Sequence, residues 1–447
     1  MPYLIDDFSG ETMMVADPST TIRFLLASRQ CELNSLHYLL QSGELVGKIS
    51  QLVHMLQRER GSSNLFLCSD GRLFADELTL REQEVALAQV PLMAHLEKLE
   101  TMTADLPQAS RLFSRVASVV YALGLLPTLR QQIRQRLLQQ PQAMDFFNDI
   151  IRNLLSLVFE VSDTATEPVI SRALIAMFSF MQGKELAGQE RAIGAAAFAV
   201  GEFNEATRLK LMDLIERQER CFDTFADFTD EENRQRWLQI ATDSDFERLR
   251  RIACTRSSTE KLPEEGSLRW FAIATQRIDE MKQVEDHLEL TLMQLCRTRI
   301  TAAKQACSEQ MADIESLMSQ QGHDDPGYSV FIAGHDMAGH ALDGQRTPNG
   351  WLSSDGLRPQ LGRSLLSLVQ QQSRRLQTLD HELAALRDTL NERKHIDRAK
   401  SLLMQHRGLS EEDAYKTLRR MAMNQNKKLI EIATAMLAVA DVFQDTP

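Results

Sequence analysis

Residues 171–203 read SRALIAMFSFMQGKELAGQERAIGAAAFAVGEF. Apolar residues recur here without the strict alternation of a half-buried strand, so we predict a helix over 166–201. Lys184, Gly188 and Arg191 share one face of this helix, because seven residues make almost two full turns. A glycine between two cations leaves room for another group to approach the helix backbone. The stretch therefore predicts a long helix with a cationic face.

Helical spacing extends over most of the chain. Similar patterns cover residues 21–69, 72–104, 108–139, 143–161, 203–228, 230–254 and 267–320. Breaks fall at Ser69–Gly71, Leu106–Pro107, Gln140–Pro141 and Leu262–Pro263. Only 12 Pro and 20 Gly occur in 447 residues, so helix breakers are scarce. We predict an all-α protein built on a large antiparallel helical bundle.

Composition excludes some classes of protein. The chain has 50 Lys and Arg against 62 Asp and Glu, and 43% of its residues are hydrophobic. These values exclude global disorder and a basic coat over the whole chain. Six scattered Cys without a CxxC pair argue against a zinc finger or disulfide framework. With no signal-peptide pattern and no uncharged apolar run near the ~18 residues of a spanning helix, we expect a cytoplasmic protein without a membrane partner.

The sequence carries few signs of catalysis or metal binding. No P-loop, GxSxG, HExxH or kinase motif occurs, so we expect no enzyme. The window 321–364 is rich in Gly, His, Asp and Pro and predicts an irregular linker. Its His323, His335 and His340 could contribute to a metal site with nearby aspartates. Their spacing matches no closed tetrahedral pattern, so we expect neither a metal nor another cofactor.

After the linker, a heptad seam covers 365–390. Its positions follow steps of four and three, at Leu365, Val369, Gln372, Leu376, Leu379, Leu383, Leu386 and Leu390. A narrow apolar seam with polar flanks favours a short coiled coil, and hence a homodimer. The alternative is a single helix packed on its own chain.

The charge changes sign near the carboxyl terminus. Residues 391–428 contain ten Lys or Arg and five Asp or Glu, while the whole chain carries −12. A small basic module on an acidic body is typical of a polyanion-binding protein. The pattern predicts three short helices, the first ended by Gly408 and the second opened by a capping box at Ser410. The predicted inner faces are Ile396, Ala399, Leu403 and His406; Ala414, Leu418 and Ala422; and Leu429, Ile432, Ala433, Met436 and Ala440.

Basic residues lie opposite these inner faces. Lys394 and Arg398 are one helical turn apart, as are Lys416 and Arg420, and such rows suit a phosphate backbone. The alternative is an ordinary solvated helix surface. Tyr415 could stack on a base, but its place beside an inner face favours a core role.

Residues 393–433 resemble the ANTAR domain, an RNA-binding output domain of bacterial antiterminators. The matching positions are Arg393, Ile396, Ala399, Lys400, Leu403, Met404, Ala414, Tyr415, Leu418, Arg419, Ala422, Met423, Leu429 and Ala433. Ser401 departs from the family, which commonly has Gly there. The resemblance implies a three-helix fold that binds paired RNA hairpins with small loops, usually as a dimer through a preceding coiled coil. We expect RNA contacts from Arg393, Lys394, Arg398, Lys400, Arg419, Arg420, Lys427 and Lys428.

A cationic pattern also marks residues 49–67, ISQLVHMLQRERGSSNLFL. Arg60 shares a helix face there with Leu56, Ser63 and Asn64. Together with Lys184 and Arg191 it could enclose a small oxyanion, since guanidinium N–H donors suit planar trigonal anions. The alternative is ion pairing of Arg60 with Glu59 or a neighbouring acid, and of Lys184 and Arg191 with Glu185 or Glu190.

Residues 56–67 and 184–203 resemble the two signature stretches of the NIT domain, an all-helical sensor of nitrate and nitrite. The resemblance implies that Arg60 and Arg191 bind the anion. Lesser candidates are Lys184, Arg58, Arg172 and Arg236.

These patterns together predict five regions. They are an amino-terminal helical extension (1–42), a NIT-like bundle (43–320), the linker (321–364), the coiled coil (365–390) and an ANTAR domain (391–443). The two resemblances together imply a nitrate- or nitrite-responsive antiterminator that binds nascent leader mRNA and prevents terminator formation. One alternative is a ligand-responsive DNA-binding regulator that uses the last helices as a helix-turn-helix, and another is a helical scaffold without a ligand.

Overall fold

The computed structural model describes residues 18–103, 109–240, 244–255, 266–319, 329–331, 351–353, 359–409, 411–425 and 427–444. These residues are almost entirely helical, which confirms the all-α prediction. The helices are α1 (Pro18–Cys68), α2 (Ala75–Thr103), α3 (Ala109–Gly124), α4 (Leu126–Arg134), α5 (Gln140–Asp163), α6 (Pro168–Val200), α7 (Glu205–Phe228), α8 (Glu231–Ile240), α9 (Ser244–Thr255), α10 (Gly266–Ser319), α11 (Pro359–Arg407), α12 (Glu411–Gln425) and α13 (Leu429–Gln444).

Two short strands interrupt the window that was predicted to be irregular. Strand β1 (Ser329–Phe331) pairs antiparallel with β2 (Trp351–Ser353). The three histidines considered for a metal site lie outside the described residues. Among the residues that the structure describes, no cluster of three potential metal ligands occurs.

Local sequence explains where α6 begins and ends. Glu167 accepts a hydrogen bond from the Ile170 amide (2.8 Å), and Pro168 occupies the first turn. Gly201, with φ of 85°, supplies the left-handed conformation that ends the helix. Two helices predicted as continuous are divided: 108–139 becomes α3 and α4, and 230–254 becomes α8 and α9. Gly124 and Pro127 are the sequence signals for the first division.

Aromatic side chains hold α6 against its neighbours. The Phe180 ring meets those of Phe222, Phe225 and Trp237 at centroid distances of 5.5, 4.9 and 5.4 Å. Gly183 permits this packing, because a Cβ there would lie 2.6 Å from the Phe222 ring. The cluster fixes α6 on α7 and α8.

Trp270 fixes α6 on α10. A Cβ on Gly194 would lie 2.3 Å from the Trp270 indole, so only glycine permits this approach. The indole Nε1–H donates to the Arg191 carbonyl at 3.0 Å. This contact places Arg191 close to α10.

The described chain forms two compact units. The described residues between 18 and 37 and between 297 and 380 form one, in which Arg29 donates to Gln310 (3.0 Å) and Arg375 pairs with Glu32 (2.5 Å). The described residues between 38 and 296 and between 381 and 444 form the other. The second unit contains both signature arginines and the carboxyl-terminal helices.

Helix α11 runs from the predicted seam into the first predicted ANTAR helix without a break at 390. Leu383 and Leu386 are buried, and Leu386 packs with Ile175, Phe159 and Phe228. This end of the seam therefore packs on its own chain. Val369 and Leu376 remain 38% and 45% exposed.

One described segment, Ser110–Arg134, is long and apolar enough to cross a membrane by length and composition. It comprises α3 and α4 and places Leu112, Val119 and Leu126 in the protein core. All six cysteines are free thiols.

Candidate anion site and RNA-binding surface

The two signature arginines cross between α1 and α6, each over a glycine of the other helix. A Cβ on Gly188 of α6 would lie 2.4 Å from Nη2 of Arg60, and one on Gly61 of α1 would lie 2.8 Å from Nη2 of Arg191. Both arginine side chains are 1% exposed. The group that approaches the backbone at Gly188 is thus the Arg60 guanidinium.

Arg60 is held by an acid and an amide. Its Nη1 donates to Oε1 of Glu185 (2.5 Å) and to Oδ1 of Asn148 (2.6 Å), and its Nη2 donates to Oε2 of Glu185 (3.1 Å). Glu185 lies on α6, less than two turns from Arg191. The predicted pairing of Arg60 with a neighbouring acid therefore occurs, but across two helices.

Arg191 has a different environment. Its guanidinium donates to the Gln57 carbonyl (2.6 Å) and the Thr275 hydroxyl (3.0 Å), and it lies 5.1 Å from the centre of the Phe271 ring. Within the described part of the chain, no carboxylate forms an ion pair with it. Burial, followed by the charge of Arg60, lowers the pKa of Arg191 to about 9. The site therefore disfavours a second cation unless negative charge is added.

The geometry suits a small planar anion. Two buried guanidiniums meet one buried carboxylate, that of Glu185, while the charge of the half-exposed Asp279 also acts on Arg191. Nε of Arg60 and Nε of Arg191 are buried donors without a hydrogen-bond partner among the described residues. Buried donors in folded proteins usually have a partner, and a bound anion would supply one to each of these two. Oxygens of a trigonal anion can accept from both guanidiniums.

The other acids proposed as partners, Glu59 and Glu190, form ion pairs with different arginines. Glu59 receives two bonds from Arg130 (2.7 and 2.8 Å), and Glu190 receives two from Arg250 (both 2.8 Å). The alternative prediction of simple local pairing is therefore wrong for Arg191 and for these two acids.

Lys184 lies in a separate buried network. Its Nζ is 2.6 Å from Glu285, and both side chains are fully buried. Ser50 and Lys282 complete this network, in which Ser50 donates to Glu285 (2.8 Å). Burial lowers the pKa of Lys184. Glu285 thus compensates the charge of Lys184, and Lys184 does not join Arg60 and Arg191 in the candidate anion site.

The three lesser arginine candidates also have other partners. Arg58 pairs with Glu84 (3.3 Å), Arg172 donates to the Asp227 carbonyl (3.2 Å), and Arg236 pairs with Glu232 on its own helix (2.9 Å). The structure brings together Arg60 and Arg191 and gives these three separate contacts.

The carboxyl-terminal helices form the predicted small bundle. Its core contains Ala399, Leu403, Ala414, Leu418, Ala422, Ile432 and Ala433, with Ile396, Leu429 and Met436 packed against them. His406 is exposed, because it falls in the last turn of α11, so its predicted core position is wrong. Gly408 ends α11 with φ of 62°, as predicted. Ser410 lies outside the described residues, as does the side chain of Ala440.

The predicted RNA-binding cations divide into two sets. Arg398, Arg420, Lys427 and Lys428 are exposed. Lys394 pairs with Asp163 at the end of α5 (2.5 Å), and Arg419 pairs with Glu216 of α7 (2.7 Å). Lys400 pairs with Asp397 one turn away (2.6 Å), and the Arg393 side chain lies outside the described residues.

Tyr415 is buried, as predicted, but against the large helical domain rather than in the small core. Arg217 and Arg220 of α7 lie 5.5 and 5.4 Å from its ring centre. A cleft of about 420 Å³ beside it is lined by Arg220, Arg419, Lys427 and Lys428. One face of the carboxyl-terminal bundle thus rests on α7.

Comparison with known proteins identifies both domains. The family profile for nitrate and nitrite sensing, NIT, matches residues 51–293, and the ANTAR domain profile matches 384–437. The nitrate regulatory protein of Klebsiella oxytoca is 36% identical over 444 residues, which cover 99% of this chain and 100% of that protein. The chain belongs to the NIT–ANTAR family of nitrate regulatory proteins.

A solved structure is similar to this chain over nearly its whole length. The structure of the NasR transcription antiterminator is 36% identical, with a TM-score of 0.57, and the match covers 94% of this chain and 99% of that one. The transcriptional regulatory protein PdtaR of Mycobacterium tuberculosis is 32% identical over 81 residues, 18% of this chain and 40% of that protein. The latter similarity is thus partial.

Sequence reasoning missed several residues that position the family's signature arginines. Gly61 and Gln57 lie within the first signature stretch, so their spacing from Arg60 was visible. Asn148 and Thr275 lie on α5 and α10, where no local pattern marks them. Asp163 and Glu216 were missed for the same reason, because both act through distant partners.

Proposed function

We propose that this chain is a nitrate- or nitrite-responsive transcription antiterminator. Nitrate or nitrite binds between α1 and α6 at Arg60 and Arg191. The ANTAR domain binds paired hairpins in a nascent leader mRNA, and this prevents formation of the terminator. The anion controls how much of the ANTAR surface is available to RNA.

The observation that carries this proposal is the docking of the ANTAR domain on the sensor. Lys394 and Arg419, two of the expected RNA-binding cations, are paired with Asp163 and Glu216. An RNA phosphate competes with these carboxylates for the same cations. Docking therefore competes with RNA binding at these two residues.

A packed route joins the anion site to this docking surface. Glu190 of α6 lies one residue before Arg191 and accepts from Gln218 of α7 at 2.6 Å. Gln218 is two residues from Glu216, and Gly183 of α6 packs on Phe222 of the same helix. A shift of α6 on anion binding would move α7 and weaken the docking contacts. The anion acts only through its difference in affinity for the docked and released forms.

Several further assignments belong to this proposal. The protein acts as a cytoplasmic regulator rather than an enzyme, and it needs no cofactor besides the anion. It works as a homodimer, because two hairpins require two ANTAR domains. The exposed Val369 and Leu376 of the α11 seam support a partner helix there. RNA, not DNA, is its nucleic-acid partner.

Charge reversal at Glu216 tests the docking step. Glu216→Lys places a cation against Arg419, so RNA binding should no longer require nitrate. Glu219→Lys is the matched control, because Glu219 lies on the same helix, is exposed and makes the same change in charge. Gel shifts with a two-hairpin leader RNA and with duplex DNA, each with and without nitrate, would measure the effect. Nitrate-dependent binding to DNA alone would contradict the proposal and favour the helix-turn-helix alternative.

A further inference from the structure

Glu185 occupies the fork of the Arg60 guanidinium. Four donors surround its carboxylate: Nη1 and Nη2 of Arg60 at 2.5 and 3.1 Å, Nε2 of Gln57 at 2.9 Å and Nε2 of Gln189 at 2.9 Å. The residue is only 4% exposed. The Glu185 carboxylate is thus a buried anion in the candidate site, and protein side chains donate all four of these hydrogen bonds to it.

This carboxylate has the shape and charge of the anion that the site is proposed to bind. A carboxylate and nitrite each present two oxygens on a planar centre with one negative charge, and nitrate adds a third oxygen. Donors arranged for one of these groups suit the others. Arg60 is therefore directed at an internal mimic of the ligand, whereas Arg191 beside it has no carboxylate partner among the described residues.

We propose that Glu185 competes with the anion for Arg60. Nitrate or nitrite displaces the Glu185 carboxylate from the Arg60 guanidinium. This competition sets the affinity and selectivity of the site for small planar monoanions. The inference rests on the proposed function and adds the residue that regulates it. Gln57 and Gln189 can hold the displaced carboxylate, since both already donate to it. Displacement removes the contact between Glu185 and Arg60, so that Gln57 alone joins the carboxylate to α1.

Electrostatics give the direction of the effect. Removal of the Glu185 charge makes the surroundings of the two guanidiniums more positive by one unit, which increases their attraction for a monoanion. Glu185→Gln keeps the size of the side chain and removes its charge, so a monoanion should bind more tightly. The same change leaves two buried cations with less compensation, so the protein without nitrate should unfold at a lower temperature.

Calorimetry with sodium nitrate on the full chain tests the inference. Glu185→Gln should bind nitrate more tightly than the unchanged protein, by at least about tenfold. Nitrate should also raise the melting temperature of this variant more than that of the unchanged protein, which a merely structural role would not produce. Glu59→Gln is the matched control, because Glu59 is also buried and also accepts two bonds from an arginine, Arg130. Its nitrate affinity should change by no more than about twofold.

A second variant keeps the inference testable if Glu185→Gln does not fold. Glu185→Asp keeps the charge but withdraws it from Arg60 by one methylene, so it should also bind nitrate more tightly. If the unchanged protein binds nitrate and neither variant binds it more tightly, the role of Glu185 is overturned while the proposed function stands. Absence of nitrate binding by all forms overturns the proposed function as well.

Discussion

Arg60 and Arg191 are equally buried but differ in how their charges are compensated. Glu185 lies on Arg60, whereas Arg191 is held by a carbonyl, a hydroxyl and the face of Phe271. Removing a partner from a buried ion pair costs about 3–5 kcal/mol, because it leaves an uncompensated charge. Arg60 thus contributes to stability as well as to the proposed site, while Arg191 is better suited to binding alone.

This difference predicts unequal stabilities for two otherwise equivalent variants. Arg60→Met and Arg191→Met should each remove the rise in melting temperature that nitrate produces, since each loses charged hydrogen bonds of about 1.5–3 kcal/mol. Arg60→Met should unfold at the lower temperature, because it leaves Glu185 without its cation. Differential scanning calorimetry with and without nitrate measures both effects. A normal nitrate response in both variants would show that the anion binds elsewhere.

Sequence predicted the two arginines but not their partners. The signature stretches contain Arg60 and Arg191 and the glycine at 188, so the cationic pair was visible from spacing and resemblance. Which acid meets which arginine depends on how α1 crosses α6. The sequence near Arg191 places Glu190 beside it, yet Glu190 faces Arg250. Local spacing cannot determine such a choice.

At the scale of helices, glycines on α6 set how closely its neighbours approach. Gly183, Gly188 and Gly194 admit Phe222, Arg60 and Trp270 respectively. The three contacts fix α6 against α7, α1 and α10. A small displacement of α6 therefore changes its packing on three neighbouring helices, including α7, which carries Glu216.

A methyl group at Gly188 should disable the site. Gly188→Ala would place a Cβ 2.4 Å from Nη2 of Arg60, so the guanidinium must move. We expect a loss of about 1–3 kcal/mol in the free energy of unfolding, as for other overpacked sites, and at least tenfold weaker nitrate binding. Gly124→Ala is the control, because its Cβ would meet nothing within 4 Å. Nitrate titration of both variants decides the matter, and equal affinities would contradict the assigned geometry.

The exposed part of the α11 seam gives a separate prediction about assembly. Val369→Glu with Leu376→Glu should weaken the dimer and reduce RNA binding, because charges at apolar seam positions oppose helix pairing. Leu87→Glu, at an apolar position of α2 that is 76% exposed, should leave assembly unchanged. Sedimentation velocity at several concentrations provides the measurement. An unchanged dimer in the seam variant would place the dimer contact elsewhere.

The helices themselves were largely predictable from sequence, and the connections between them less so. Apolar spacing predicts the ends of α5 and α6 to within one helical turn, and Pro141, Pro168 and Gly201 stand at those ends. The seam shows the limit of this reasoning. Heptad spacing describes a narrow apolar face, but Leu386 satisfies that face within its own chain, against Ile175. Only the tertiary contacts distinguish a partner helix from an internal one.

At the scale of the whole molecule, charge is unevenly distributed between the two functional domains. Residues 391–428 carry five more basic than acidic residues, whereas the whole chain carries −12. Asp163 and Glu216 bring this acidic character directly onto Lys394 and Arg419. The sensor domain therefore attracts the same cations that RNA would neutralise.

Separation of the domains should remove the need for nitrate. A fragment of residues 361–447 retains the complete small core and should bind a two-hairpin leader RNA whether or not nitrate is present. Substituting Lys427 or Lys428 by Ala should reduce the slope of log affinity against log salt by roughly 0.7–0.9 per lost phosphate contact. Equal affinity for a hairpin with a scrambled loop would indicate binding to the backbone alone. Nitrate-dependent binding by the fragment would contradict the division into sensor and output.

In the proposed mechanism, the anion at Arg60 and Arg191 releases the ANTAR surface from α7. Titration of leader-RNA affinity against nitrate, with the full chain and with Arg191→Met in parallel, tests it most directly. RNA affinity of the full chain should rise with nitrate and reach a plateau, while Arg191→Met should remain at the low affinity throughout. An RNA affinity of the full chain that is independent of nitrate, or an equal nitrate response in Arg191→Met, would contradict the account.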